Sequence, residues 1–169
     1  CGNLMDATSN LDPLTAVSGT VKACAVTLSK IASDLRLLSS GPRTGLAEIR
    51  LPGKQNGSSI MPGKINPVIP EVVNQVAFHI MGNDLTVTAA AGAGQLELNA
   101  FEPVIFYNLF QSIDMLGHGA ATFADNCVSG IRADADRCRE LVESSAGMAA
   151  ALCPYIGYEA AAGIAKKAL

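Results

Sequence analysis

From Pro13 to Leu38 the chain reads PLTAVSGTVKACAVTLSKIASDLRLL. Leu14, Val17, Val21, Cys24, Leu28, Ile31, Leu35 and Leu38 recur at alternating spacings of three and four. An unbroken pattern of that period places them along one side of an α-helix and predicts a long helix over 13–40, packed in a bundle. Pro13 suits the first turn, and Gly41-Pro42 ends the helix. The other side carries Thr15, Ser18, Lys22, Ser29 and Arg36, several of them small enough to let further helices approach.

Outward from this helix the punctuation is clear. Nine glycines and prolines lie between residues 41 and 67, which marks a long loop. Loops of that length inside a compact domain are commonly functional. A second helix is expected to start near Ile69 or Pro70, with Ile69, Val72, Val73, Val76, Ile80 and Met81 on its apolar side. A break follows at Gly92-Ala93-Gly94. A third helix is expected from Phe101 to Asp125, through Ile105, Leu109, Ile113 and Leu116. Beyond Cys127 the sequence predicts a charged surface helix over 132–143 and a short apolar helix over 144–152. A turn at Pro154 and Gly157 and a final helix from Tyr158 complete the pattern. No segment reads as a strand. The fold class is therefore all-α, a long-helix bundle with a small helical C-terminal segment.

Composition bounds the function. Apolar residues make up 49% of the 169 residues and charged residues only 16%, well below the usual quarter. No lysine or arginine occurs from residue 65 to 131. Such a surface needs a cover. Glu71, Asn74, Gln75, His79, Asn83 and Asp84 interrupt the most apolar region too often for a membrane span, so burial against other protein chains is the better explanation. A net charge of −3 with scattered basic residues gives no footprint for nucleic acid. Cys1, Cys24, Cys127, Cys138 and Cys153 lack metal spacing and read as reduced thiols of a cytoplasmic protein. The chain starts at Cys1 and stops at Leu169 within a helical pattern, which suggests part of a longer protein.

The chemistry-bearing stretch is Gly57-Ser58-Ser59-Ile60-Met61-Pro62-Gly63-Lys64-Ile65-Asn66-Pro67. A cation, an amide and two hydroxyls in one short loop suit an anionic small molecule. Asn66, before a proline, is held out of helix, and Glu71 falls in the first turn of the next helix, where a carboxylate favours the helix N-terminus. His79 reads as a buried, hydrogen-bonded histidine. His118 has no carboxylate partners at metal spacing, and Asp125, Asp134 and Asp136 read as solvated.

The stretch from Gly57 to Asn66 resembles the signature of the aspartase/fumarase superfamily, with Ile65 where valine is commoner. The resemblance extends through Leu37-Leu38-Ser39-Ser40-Gly41-Pro42-Arg43, Gly45-Leu46-Ala47-Glu48-Ile49, Gly94-Gln95-Leu96-Glu97-Leu98-Asn99, Phe101-Glu102-Pro103 and Pro154-Tyr155-Ile156-Gly157-Tyr158. Pro67-Val68-Ile69-Pro70-Glu71-Val72-Val73-Asn74-Gln75-Val76 is closer to the aspartate ammonia-lyases than to the class II fumarases.

The resemblance implies that residues 1–127 are part of the central helical-bundle domain, with the signature loop at 54–67, and that 128–169 begin a small C-terminal domain. It implies a lyase that forms an enediolate by removing a proton beside a carboxylate, then expels ammonia, or water in a fumarase. Ser58 would be the base. Ser59, Lys64 and Asn66 would hold a dicarboxylate, and Glu71 would support them through a histidine. No metal or organic cofactor is implied. Two upstream motifs of the family, one rich in Thr and Asn and one with a Thr-His pair, are absent from these residues. Family sites combine loops from three subunits of a homotetramer, so the chain alone is expected to be inactive. A reading from another class, a non-catalytic helical oligomerisation module, accounts for the heptads but not for the Gly57–Asn66 constellation.

Overall fold

A computed structural model of the chain describes residues 2–61 and 63–168. Cys1, the signature's Pro62 and Leu169 lie outside the described residues.

Three long helices carry the fold: α2 (Asp12–Leu38), α3 (Val68–Ala91) and α4 (Glu102–Asn126), preceded by a short α1 (Leu4–Ser9). Pro13 lies in the first turn of α2, and Pro103 plays the same part in α4, where the missing proline N–H costs nothing. At 1.5 Å rise per residue each long helix spans roughly 36–40 Å. Cross-helix bonds fix their sense. Ser18 and Lys22 reach Asp84, Ser29 reaches Asn74, and Arg36 reaches Glu71. Thus α2 and α3 run antiparallel. Val87 packs with Ile105 and Val73 with Phe123, so α4 runs antiparallel to α3, and between these layers His79 pairs with Gln111 and Asn83 with Ser112.

The core is three layers along α3. Leu11, Val87, Ala90 and Ile105 close one end. Ala25, Ala77 and Ile80 fill the middle. Ala32, Val73, Phe123 and Cys127 close the end nearest the long loop. Burial pushes the Cys127 thiol pKa up. On α2 the deepest positions are the small ones, Ser18, Ala25, Ser29 and Ala32, because they let the α3 backbone approach. Leu14, Val21, Leu28 and Leu35 pack around them, half-buried, while Val17 (47% exposed) and Ile31 (40%) face outward. The other two long helices cover only one side of α2, and Val17 and Ile31 of the heptad seam are left over.

The remainder of the chain departs from the sequence reading in several places. The described residues include two two-residue strands, β1 (Ile49–Arg50) and β2 (Arg132–Ala133), paired antiparallel with Ile49 opposite Ala133. They are too short to show alternation, and pairing between segments so far apart in the chain leaves no local signal. Consequently the charged helix α5 begins at Ala135, not 132. Asp134 is not simply solvated: it caps α5 through the Arg137 N–H and pairs with Arg50 at 2.6 Å. Residues Ala146–Leu152 form a 3₁₀ segment. Where a turn was expected, Cys153–Ile156 form the short α6, ended by Gly157, before α7 (Tyr158–Ala168). No helix among the described residues is long and apolar enough to cross a membrane.

Candidate active site

The signature lies on the loop that joins α2 to α3, and both ends of that loop are anchored. On the entry side β1 pairs with β2, the Asp134 N–H donates to the Glu48 carbonyl at 2.9 Å, and the Arg137 guanidinium donates to the Leu46 carbonyl at 3.1 Å. Leu51 then packs on the Ala32–Val73–Phe123 layer, and Pro52 lies so close to Gly130 that a Cβ there would collide with its ring. On the exit side Pro67 leads directly into α3.

Between these anchors the loop folds back on itself. Asn56 bridges Ile65, the Gly57 N–H donates to the Lys64 carbonyl at 2.7 Å, and the Asn66 amide donates to the Gly57 carbonyl at 3.2 Å. Glycine is required at 57, since a Cβ would sit 2.5 Å from the Lys64 oxygen. Within the closed tip Ser58 Oγ accepts hydrogen bonds from two backbone N–H groups, those of Ile60 and Met61, each at 3.1 Å. Two donors converging on one hydroxyl oxygen favour negative charge there.

The other candidate residues are distributed around this tip. Ser59 and Lys64 are exposed, and among the described residues neither side chain has a hydrogen-bond or ion-pair partner, which leaves both free for a ligand. Asn66 is half-buried and spends one amide hydrogen on closing the loop, with a second donor and the carbonyl oxygen remaining. Glu71, in the first turn of α3, faces the Arg36 guanidinium at 3.6 Å. Its partner in this chain is thus an arginine, and the two histidines are engaged elsewhere. His79 bonds Gln111 at 3.0 Å and His118 lies beside Asp114. The sequence reading of His79 as hydrogen-bonded agrees with this, but its burial does not: the side chain is exposed, because α4 covers only one flank of α3.

Two contributions escaped the sequence. The Ile60 and Met61 donors are main-chain groups, which carry no side-chain signature. Arg36, read only as part of the polar side of a heptad helix, turns out to stand over the start of α3. Its Nη1 donates to Asn74 Oδ1 at 3.3 Å. Among the described residues no three histidines, cysteines or carboxylates are grouped to hold a metal ion. A polar cleft of about 320 Å³, lined by Ser9, Asn10, Asp12 and Thr88, lies at the other end of the bundle.

Comparison with known proteins gives this loop its context. A sequence profile described as Lyase matches residues 1–82. The aspartate ammonia-lyase of Helicobacter pylori is 58% identical over 167 residues, 99% of this chain and 36% of that protein. The aspartate ammonia-lyase of Bacillus subtilis is 55% identical, again over 99% of this chain, and 35% of its own length is covered. The chain therefore spans about a third of the length of these curated relatives. Among solved structures, a fumarate lyase:delta crystallin from Brucella melitensis superposes with a TM-score of 0.92 at 57% identity, covering 99% of this chain and 39% of that one. The class II fumarase of Schistosoma mansoni gives 0.91 at 39% identity, covering 96% and 34%. With the helical bundle, the signature loop and these matches together, the chain belongs to the aspartase/fumarase superfamily of lyases.

Proposed function

We propose that this chain supplies the signature loop of a lyase that converts L-aspartate to fumarate and ammonia, as part of a longer subunit in a homotetramer. The observation that carries the reading is the pair of N–H groups, of Ile60 and Met61, aimed at Ser58 Oγ. A serine hydroxyl is a poor base in water, and fixed donors around its oxygen are what an alkoxide needs.

In the proposed reaction the Ser58 alkoxide takes a proton from Cβ of aspartate. The electron pair of that C–H bond moves into the neighbouring carboxylate, giving an enediolate. Return of the pair forms the Cα–Cβ double bond and breaks the Cα–N bond, whose electrons leave with ammonia. Lys64 neutralises charge as it builds on the carboxylate, Ser59 and Asn66 orient the dicarboxylate, and Glu71 supports the group. Ser59 and Lys64 stand exposed at the loop tip, which fits a site completed by other segments. The 169 residues alone are accordingly expected to show no turnover. Residues 1–127 serve as bundle and loop, and 128–169 as the beginning of a smaller C-terminal unit.

The second reading is a fumarate hydratase, favoured by the superposition on the S. mansoni fumarase. Its lower identity, 39% against 55–58% for the aspartate ammonia-lyases, places it behind. The two separate in one assay. The full-length subunit carrying this chain is given L-aspartate or L-malate, and fumarate is followed by its ultraviolet absorbance. Fumarate from aspartate alone is the expected result; fumarate from malate alone would assign the hydratase.

A further inference from the structure

We propose that Arg36 is a positioning residue of this lyase, holding the first two turns of α3, and with them Glu71, in register behind the signature loop. The inference rests on the lyase reading above. Arg36 sits in the last turn of α2, and its guanidinium spans two groups one helical turn apart on α3. Nη2 lies 3.6 Å from Glu71 Oε1, and Nη1 donates to Asn74 Oδ1 at 3.3 Å.

Asn74 is an unusual anchor. It is buried, and its amide nitrogen is already committed to the Ser29 carbonyl and hydroxyl, both at 2.9 Å, and to the Ser33 hydroxyl at 3.2 Å. The orientation of the carboxamide is therefore set by α2, and its oxygen is directed to Arg36. Through Arg36 that fixed orientation passes to Glu71. Glu71 lies four residues after Pro67, where the signature ends and α3 takes over. A planar guanidinium can make both contacts at once, whereas a lysine ammonium is a single point donor. The network thus converts helix packing into a defined carboxylate position at the foot of the loop. A small displacement of such a group is enough to slow chemistry by roughly 10- to 100-fold.

The test is a double-mutant cycle in the full-length subunit, using Arg36→Lys, Glu71→Gln and the pair, with kcat and KM for L-aspartate and the thermal midpoint measured for each. Lysine keeps the charge but loses the two-point grip. The expected result is a kcat lowered roughly tenfold or more by either change, KM within about twofold, and no further loss in the double variant, because both act through one carboxylate. Arg36→Met should fall at least as far as Arg36→Lys. Full additivity of Arg36→Lys and Glu71→Gln, or an unchanged kcat with only a lowered thermal midpoint, overturns the proposal. If the unsubstituted subunit releases no ammonia from aspartate, or if Ser58→Ala leaves turnover intact, the lyase reading itself fails and this inference falls with it. If the Arg36 and Glu71 variants miss these expectations while Ser58 stays essential, this inference alone is overturned and the lyase reading stands.

Discussion

A serine hydroxyl becomes a base only where its anion is stabilised, and Ser58 receives two main-chain donors at 3.1 Å before any ligand arrives. Replacing Ser58 by alanine in the full-length subunit should lower kcat by about 10²–10⁴-fold, the usual worth of a positioned general base. Circular dichroism should stay unchanged, because the side chain bonds only its own loop; fumarate absorbance reads the loss. Asp134 is the residue whose titration matters for the fold. The Arg50 guanidinium, and then the Arg137 N–H, hold its carboxyl below the ordinary carboxylate range. A carboxyl with a folded-state pKa below its unfolded value contributes stability that is present above the unfolded pKa and is lost as pH falls through the folded one. The β1–α5 junction should therefore loosen in acid below the normal aspartate range. Amide protection factors at Glu48–Arg50 should fall there, and Asp134→Asn should show the lower protection at neutral pH already.

At the scale of elements, each long helix owes its place to a few fully buried side chains. Ile105, in α4, is completely buried against Leu11, Val87 and Ala90. Truncation to alanine there should cost about 2–5 kcal/mol, the range for removing a buried branched side chain, read by denaturant unfolding of the chain. The loop is held differently. Gly57 pinches its tip against Lys64, and Gly130 admits Pro52 at its entry, so its form depends on two close approaches and on the β1–β2 pairing. The boundaries of α2, α3 and α4 were legible from proline, glycine and apolar spacing to within about two residues. The β1–β2 pair was not, because its partners lie far apart in the chain and each strand is only two residues long. For the site, the side chains of Ser58, Ser59, Lys64 and Asn66 were legible as a cluster. The donors of Ile60 and Met61 and the grip of Arg36 required coordinates.

The whole molecule is an open bundle. Val17 and Ile31 on α2, Phe78 and Leu85 on α3, and Tyr107, Phe110 and Ile113 on α4 remain exposed, and apolar side chains grouped at a surface mark it for contact with other protein. Sizing by light scattering should therefore find assemblies larger than the 17.4 kDa chain. Ile31→Glu, at an exposed seam position, should shift them towards monomer without unfolding the helix, while a clean monomer for the unsubstituted chain would count against the bundle assembly. By itself the sequence determined the long helices, the all-α class and the signature loop, since heptad spacing, helix-ending Gly-Pro and a run of adjacent polar residues are local properties. Only the tertiary structure decided which side of α2 is deepest, where β1 meets β2, and that Glu71 answers to Arg36. Those facts depend on which surfaces meet across the bundle, and a face with the right spacing does not say which neighbour will cover it.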